Sequence, residues 1–310
     1  MVSKLSVPSI REFEDKLREN GRSAAMIKKV LVSLGGIVGD AVERGLATRN
    51  PVRDMRQKHG GKETRIEKRH KVKLKVGVHI PTPAEIRTVL SVLDSMGHWR
   101  PLLITVIFTG MRSSELRGLR WEDVDLEGRS ISVTQRADEY GKIGRPKTEA
   151  GERTIPIPPF VVNTLREWRL ACPRRDTGRV DAADNPIREL HYVFPNGNGN
   201  IESHANIINR ALIPAMIKAG VSYPSEEFDD DGKPITVIRA KYTGLHSLRH
   251  FFASWCINRK VDGGLELPVK SVQERLGHSS IQMTLDTYGH LFPRGDDSDE
   301  LAAAERSLLG

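Results

Sequence analysis

A break in the hydrophobic pattern between residues 53 and 75 constrains the fold of this chain more than any other feature. Ten basic residues stand in this stretch against three acids, and no apolar spacing accompanies them. Such a segment cannot bury a core, so it predicts a solvated linker between two folded units, which we place at residues 59–80. A stretch this basic can also lie along phosphates. The candidate phosphate-contacting residues are Arg53, Arg56, Lys58, Lys62, Arg65, Lys68 and Arg69.

The whole chain carries the same positive bias. Its 310 residues include 48 Lys and Arg against 40 Asp and Glu, which gives a formal charge of +8. This excess favours a polyanionic partner, although charge alone does not choose between nucleic acid and a membrane surface. The longest apolar run, residues 101–108, is far shorter than the roughly 20 residues that cross a bilayer, so we expect no membrane partner.

Targeting signals and cysteine usage point to the inside of a cell. The N-terminus lacks an apolar run that ends in a small-residue cleavage site, so no secretory signal is expected. Cys172 and Cys256 are too far apart to form a Cys-x-x-Cys redox or zinc pair. Both features favour a reducing, intracellular setting.

Residues 1–58 predict a small helical unit, and the larger unit at 81–292 combines helices with a hairpin. In the small unit a first helix is expected from an N-cap at Ser9 and a second from Ser23. Helical spacing in the larger unit recurs near residues 82–93, 101–109, 113–119, 159–170, 203–219, 246–258 and 269–276. Alternation at 130–135 and a return strand ending at Pro156 predict the hairpin, whereas the acidic residues 222–233 predict an exposed loop. The expected fold class is mainly α with a small antiparallel β-sheet or hairpin, that is α+β.

Three local patterns could carry chemistry, although each alone has a plain structural explanation. They read TGMRSSELRGLRW around Arg112, LHSLRH around His246 and Arg249, and LGHSSIQMTLDTY ending at Tyr288. Arg112 alone could be a surface arginine. His246 and Arg249, three apart on one helix face, could be a structural hydrogen-bonding pair. A lone tyrosine such as Tyr288 is usually a packing residue with a solvated hydroxyl.

A zinc site is a second interpretation of the middle pattern. His246 and His250 are four apart, as metal ligands on a helix are, but Ser247 stands where the H-E-x-x-H motif has its glutamate. No third ligand cluster is evident in the sequence. We therefore expect no metal site, and we interpret His250 as a buried, hydrogen-bonded histidine.

Together and in this order, the patterns resemble the catalytic domain of the tyrosine recombinases, the family of phage and integrative-element integrases. The resemblance covers residues 81 to about 292 and implies that fold. Residues 1–58, chiefly AVERGLATRNP, loosely resemble a shortened form of the family's helical, SAM-like core-binding domain, with no arm-binding domain before it. The resemblance assigns the catalytic residues as Arg112, Lys147, His246, Arg249, His278 and Tyr288, with Glu115 as structural support. PKTEAGERTIPIP favours Lys147, although Lys142 and Arg145 lie in the same turn.

These residue types suit an attack on a phosphodiester without a cofactor. Arg112 and Arg249 can stabilise the negative charge on the phosphate oxygens, because guanidiniums are bidentate donors that stay protonated. Tyr288, a phenol with a reference pKa of about 10, needs a base, and His246 is the candidate. Lys147 can protonate the leaving 5′ oxygen. A 3′-phosphotyrosyl intermediate keeps the phosphodiester energy, so we expect neither ATP nor a metal ion to be required.

The resemblance implies a site-specific recombinase that integrates or excises a mobile element. Its implied partner is double-stranded attachment-site DNA, bound by a homotetramer that is a monomer or weak oligomer without DNA, in the bacterial cytoplasm at the nucleoid. His278 is expected to hydrogen-bond the phosphate. The acidic residues 293–310, with a helix from Ser298 to Leu309, are expected to dock onto a neighbouring protomer. Whether an excisionase or a host DNA-bending protein directs the reaction stays open.

Two other functions use the same features. A catalytically silent DNA-binding regulator on this scaffold would explain the charge, but the full set of catalytic-type residues argues against it. A relaxing enzyme of the type IB topoisomerase kind shares the phosphotyrosine chemistry. The spacing from the LGH motif to Tyr288 and the size of the chain favour an integrase.

Overall fold

Helices make up most of this protein, and its sheets are small and antiparallel, which confirms the predicted fold class. The computed structural model describes residues 5–57, 73–146, 148–229, 232–293 and 297–309. The chain divides into two units, residues 1–72 and residues 73–310. The last eight residues of the predicted linker, 73–80, therefore belong to the larger unit.

The described part of the smaller unit, residues 5–57, forms three helices: α1 (Val7–Glu19), α2 (Ala24–Glu43) and α3 (Pro51–Gln57). The predicted N-cap at Ser9 is wrong by one turn, because Ser6 caps α1 and Ser9 closes the reciprocal capping box. Ser23 caps α2 as expected. Helix α3 lies where the basic stretch begins, and it forms because Val52 and Met55 bury one face. The core of the unit comprises Ile10, Ile27, Leu31, Val52 and Met55.

The larger unit is built around one buried helix, α5, whose residues 101–107 are buried on every side. Helices α7 and α10 pack against it. A π-helical turn, Ile207–Leu212, joins α8 and α9 into one rod. The helices are α4 (Pro83–Val92), α5 (Trp99–Thr109), α6 (Ser113–Gly118), α7 (Pro159–Ala171), α8 (His204–Asn206), α9 (Ile213–Lys218), α10 (Leu245–Ile257), α11 (Val269–Leu276), α12 (Ile281–Tyr288) and α13 (Asp297–Leu309).

The strands of the larger unit form antiparallel ribbons. The predicted pairing of 130–135 with the strand ending at Pro156 is confirmed, since Ile131 lies opposite Ile155. The predicted acidic loop at 222–233 is wrong, because residues 222–228 pair with an apolar strand that follows it. The strands are β1 (Val124–Asp125), β2 (Ser130–Val133), β3 (Arg136–Ala137), β4 (Ile143–Gly144), β5 (Arg153–Pro156), β6 (Arg175–Val180), β7 (Pro186–Glu189), β8 (Ser222–Phe228) and β9 (Pro234–Ala240).

Across the described residues, no helix has both the length and the hydrophobicity that a membrane crossing requires. Cys172 and Cys256 are both buried and unpaired with each other.

Candidate active site

Four separate segments of the larger unit meet at one place. Arg112 is the N-cap of α6, and His246, Arg249 and His250 project from the first turns of α10. His278 follows α11, and Tyr288 is the last residue of α12. Side chain to backbone hydrogen bonds across more than 100 residues of sequence hold these segments together.

Two glycines form backbone turns whose carbonyl oxygens accept hydrogen bonds from the site arginines. Gly110 ends α5 and Gly277 ends α11, both with left-handed backbone, at φ 59° and 63°. The Gly110 carbonyl accepts from Arg249 Nη1 at 2.7 Å, and the Gly277 carbonyl accepts from Arg112 Nη2 at 3.1 Å. A Cβ at Gly110 would lie 2.5 Å from Phe252, so no larger residue fits there. The glycines of the TGMR and LGH patterns are therefore structural requirements of the site.

Arg249 is a buried cation that forms no ion pair with a carboxylate of the described residues. Its side chain is held by carbonyl oxygens, those of Gly110 and of Leu276, the latter at 2.5 Å. Burial, and then the charge of Arg112, lower its pKa to about 9, so it remains protonated at pH 7. The residue is 3% exposed. Because carbonyl dipoles satisfy its donors but do not cancel its charge, this site keeps a positive field that an anion can use.

Glu115 organises the remaining cations. Its carboxylate, 3% exposed, accepts from Arg112 Nη1 at 2.7 Å and from Arg153 Nη2 at 2.8 Å. Burial alone would raise the pKa of Glu115, but the hydrogen bond and charge of Arg153, joined by Arg112, outweigh it and bring the pKa to about 2. One carboxylate therefore orients two guanidiniums. A third guanidinium, that of Arg249, lies close enough for the Glu115 charge to raise its pKa. The cluster is net cationic.

Arg153 is a site residue that the sequence analysis quoted but did not assign. It lies on β5, two residues before the buried Ile155, and so on the same face of the strand. A charged residue on the inward face of a strand requires a buried partner, which here is Glu115. That face relationship was the signal available in the sequence.

The Tyr288 hydroxyl lies 2.7 Å from Nδ1 of His250. The tyrosine is 1% exposed. Burial raises its pKa to about 12, against the opposing charges of Arg249 and Arg112, which act on the hydroxyl. Burial, followed by His246, Arg249 and His79, lowers the pKa of His250 to about 4. Both shifts favour a protonated Tyr288 hydroxyl and a neutral His250 imidazole in this resting site.

His246, the expected base, does not lie where it could hydrogen-bond the Tyr288 hydroxyl. The residue is partly exposed, and its ring contacts the His250 ring edge-on, with the two centroids 5.5 Å apart. Partial desolvation and then the charges of Arg249 and Arg112 lower its pKa, which keeps it neutral at pH 7. No hydrogen bond joins the described side chains of His246 and Tyr288. The two histidines share one helix face, and His250 is the one that reaches the hydroxyl.

His278 lies under the nucleophile. Its ring is parallel to that of Tyr288, with centroids 6.2 Å apart, and its Nδ1 lies 2.9 Å from Thr284 Oγ1. Burial, then Arg249 and Arg112, lower the pKa of His278 to about 4, so the imidazole is neutral at pH 7. With Nδ1 bonded to the threonine, Nε2 is the nitrogen available to a ligand. Thr284, on α12, is a second residue that the sequence analysis missed.

The turn after the nucleophile is tied to the start of the larger unit. His290 Nε2 lies 2.6 Å from the carbonyl oxygen of Leu74. Leu74 and Leu291 are both partly buried and pack against buried hydrophobic residues of this unit. This contact anchors the chain just beyond Tyr288.

Several predicted residues lie outside the part that the structure describes. Lys147 is one, and the others are Lys58, Lys62, Arg65, Lys68 and Arg69. Arg53 lies exposed on α3, and Arg56 belongs to the same helix. Of the alternatives to Lys147, Lys142 is exposed and Arg145 uses its carbonyl to accept from Arg136. Over the described ranges, no group of three or more His, Cys, Asp or Glu is placed to hold a metal ion.

Comparisons with known proteins identify relatives of this chain. The phage integrase family pattern matches residues 82–294. A XerC-like tyrosine recombinase of Caldanaerobacter subterraneus is 26% identical over 94% of this chain and 69% of its own length. The ICEBs1 integrase of Bacillus subtilis is 25% identical over 94% of this chain and 68% of its own length.

Solved structures have the same fold. The Tn1549 transposon integrase in complex with transposon right-end DNA has a TM-score of 0.65 and 20% identity, over 100% of this chain and 87% of that one. A lambda integrase dimer bound to a core site has a TM-score of 0.54 and 18% identity, over 95% and 82% of the two chains. The resemblance expected from the motifs is confirmed: the chain belongs to the phage integrase family of tyrosine recombinases.

Proposed function

We propose that this protein is a site-specific DNA recombinase that integrates or excises a mobile element. The observation that carries the proposal is the position of the Tyr288 hydroxyl, buried in the fields of Arg249 and Arg112 within a net cationic cluster. The integrases and recombinases among its relatives support the same reaction class. Double-stranded attachment-site DNA is the proposed substrate.

The reaction is an exchange of one phosphodiester for another. Tyr288 Oη attacks the scissile phosphorus and forms the Oη–P bond, while the bond from phosphorus to the 5′ oxygen breaks. When DNA is bound, the phenol proton passes to His246 rather than to His250, the partner of the hydroxyl in the resting site. Lys147 gives its proton to the 5′ oxygen, which leaves as a hydroxyl. The product is a 3′-phosphotyrosyl enzyme. A 5′ hydroxyl from a second strand reverses the step, so ATP is not needed.

The cationic residues stabilise the transition state rather than the resting phosphate alone. Arg112 and Arg249 donate to the non-bridging oxygens as charge develops there, and His278 Nε2 adds a further hydrogen bond. Glu115 keeps the guanidiniums of Arg112 and Arg153 in place, so these side chains need not reorganise during the reaction. Two guanidiniums supply the charge that a metal ion supplies in other phosphoryl transferases.

Assembly on DNA completes the proposal. A homotetramer holds two half-site pairs, and residues 53–69 contribute phosphate contacts whose affinity falls steeply with salt. Helix α13 has exposed apolar side chains at Leu301, Leu308 and Leu309, which suits docking onto a neighbouring protomer. Deleting residues 297–310 is expected to weaken assembly on DNA, and unchanged assembly in a gel shift would remove that part. The proposed location is the bacterial cytoplasm, at the nucleoid.

Incubation with a nicked half-site tests the function. The DNA sequence comes from the junctions of the element that carries the gene, and the nick lets the cleaved strand diffuse away. In the presence of EDTA we expect a protease-sensitive covalent adduct with the wild type. An adduct that requires magnesium, or none with the authentic junction DNA, would contradict the proposal.

A further inference from the structure

Resting on that function, we propose that His250 is a further catalytic residue, whose Nδ1 accepts the hydrogen bond of the Tyr288 hydroxyl and orients the nucleophilic oxygen. The two atoms are 2.7 Å apart, the distance of a well-formed hydrogen bond. Neither the family motifs quoted above nor the charge pattern assigns a role to this histidine. The sequence favoured a buried, hydrogen-bonded histidine at this position, and the structure places it half-buried.

The position of His250 is fixed by its neighbour in sequence. Arg249 anchors the first turns of α10 to Gly110 and to Leu276, across two other segments of the site. Because His250 follows Arg249 directly, the same helix turn that places the cation also places the imidazole. The His250 ring also contacts the Tyr288 ring edge-on, with centroids 5.7 Å apart.

The hydrogen bond decides how the oxygen faces the phosphate. When the neutral imidazole carries its proton on Nε2, the hydroxyl donates to Nδ1, and the oxygen's lone pairs remain free for attack. Ring contacts with His278 on one side and His250 on the other limit the rotation of Tyr288. In the described part of the chain, His250 is the one hydrogen-bond partner of this hydroxyl. Without it, the phenol would sample orientations in which no lone pair faces the phosphorus.

Two amide substitutions separate this role from a general need for a polar residue. In His250→Asn the amide oxygen takes the place of Nδ1 and still accepts from Tyr288, whereas in His250→Gln it takes the place of Nε2. The measurement is the single-turnover rate of adduct formation at saturating nicked half-site DNA. We expect His250→Asn to stay within about tenfold of the wild type and His250→Gln to fall about a hundredfold, with DNA affinity unchanged in both.

A second substrate separates the nucleophile from the leaving group. A bridging sulfur at the 5′ position leaves without protonation, so it restores cleavage to variants that lack the general acid. We expect this substrate to rescue Lys147→Ala but to leave the deficit of His250→Gln unchanged. Equal rates for the Asn and Gln variants, or rescue of His250→Gln by sulfur, would overturn the assignment of His250. Loss of the adduct in the wild type would instead refute the proposed function.

Discussion

The cationic half of the site and the nucleophile half are held in different ways. Arg249 and Glu115 are buried. Arg249 donates to two distant segments, and Glu115 accepts from the neighbouring Arg112 and from the distant Arg153. Tyr288 lies at the end of an eight-residue helix, and among the described residues its hydroxyl has one hydrogen bond, with His250. The difference indicates a division of labour: several hydrogen bonds preorganise the charge that stabilises the transition state, whereas one hydrogen bond orients the nucleophile.

The largest expected effect concerns the nucleophile itself. Tyr288→Phe removes the attacking oxygen but keeps the ring, so we expect adduct formation to fall below detection and DNA affinity to stay within about twofold. Tyr242→Phe is the matched control, because that buried hydroxyl bonds to Glu85 and to the Ile80 carbonyl, away from the site. Its adduct yield should match that of the wild type. Formation of an adduct by Tyr288→Phe would show that Tyr288 is not the nucleophile.

The cationic half is tested by Arg249→Lys. A lysine keeps the charge but loses the forked donors that bind two carbonyls, so we expect the single-turnover rate to fall roughly a thousandfold. Arg117→Lys is a control of similar burial, since Arg117 donates to the carbonyls of Glu202 and Asp138. That variant should lose stability without a comparable loss of rate. Similar losses in both would mean that Arg249 has only a structural role.

The carboxylate that orients the cations gives the site a pH signature. The pKa of Glu115 falls from 4.5 to about 2 in the folded protein. Its contribution to stability is therefore fully present above pH 4.5 and is lost as the pH falls toward 2, by about 3 kcal/mol in total. We expect denaturant unfolding of Glu115→Gln to lack this acid-dependent loss and to start from a lower stability. Glu127→Gln, in an exposed pair with Arg166, should change unfolding little.

Backbone geometry sharpens the comparison at a smaller scale. Gly277→Ala adds a Cβ at φ 63° that would lie 2.8 Å from Arg153, whereas Gly263→Ala adds one at φ 79° with nothing within 4 Å. Both variants should lose about 1–2 kcal/mol from the left-handed backbone. Only Gly277→Ala should also lose about tenfold in adduct rate, because its carbonyl binds Arg112. Equal losses of adduct rate in the two glycine variants would show that the arginine cluster tolerates a Cβ at Gly277.

The smallest expected effect is at Thr284. Replacing it with valine keeps the shape but removes the hydroxyl that bonds Nδ1 of His278. We expect a loss of about 1 kcal/mol in stability and a severalfold loss in adduct rate, since the imidazole can then rotate. The rate should recover in Thr284→Ser. A rate unchanged in the valine variant would place His278 outside the phosphate contacts.

The sequence could predict the members of the site but not all of its contacts. The motifs named five residues that the structure brings together, because the family fold places these motifs around one site. They are Arg112, His246, Arg249, His278 and Tyr288. The hydrogen bond of His250 depends on how α12 packs against α10, which residue spacing does not encode. The β8 strand was missed because its acids suggested a loop, while its pairing depends on an apolar strand six residues later. The helix cap at Ser6 was missed because two serines of one capping box are indistinguishable by type.

The central claim is that Tyr288 becomes covalently joined to a 3′ phosphate inside this cationic cluster. The most direct measurement is mass spectrometry of the nuclease-trimmed, protease-digested adduct formed on a nicked half-site. The account predicts one nucleotide-bearing peptide, modified at Tyr288, together with a DNA product that has a free 5′ hydroxyl. A modification on any other residue, or a free 3′ hydroxyl on the cleaved strand, would contradict it.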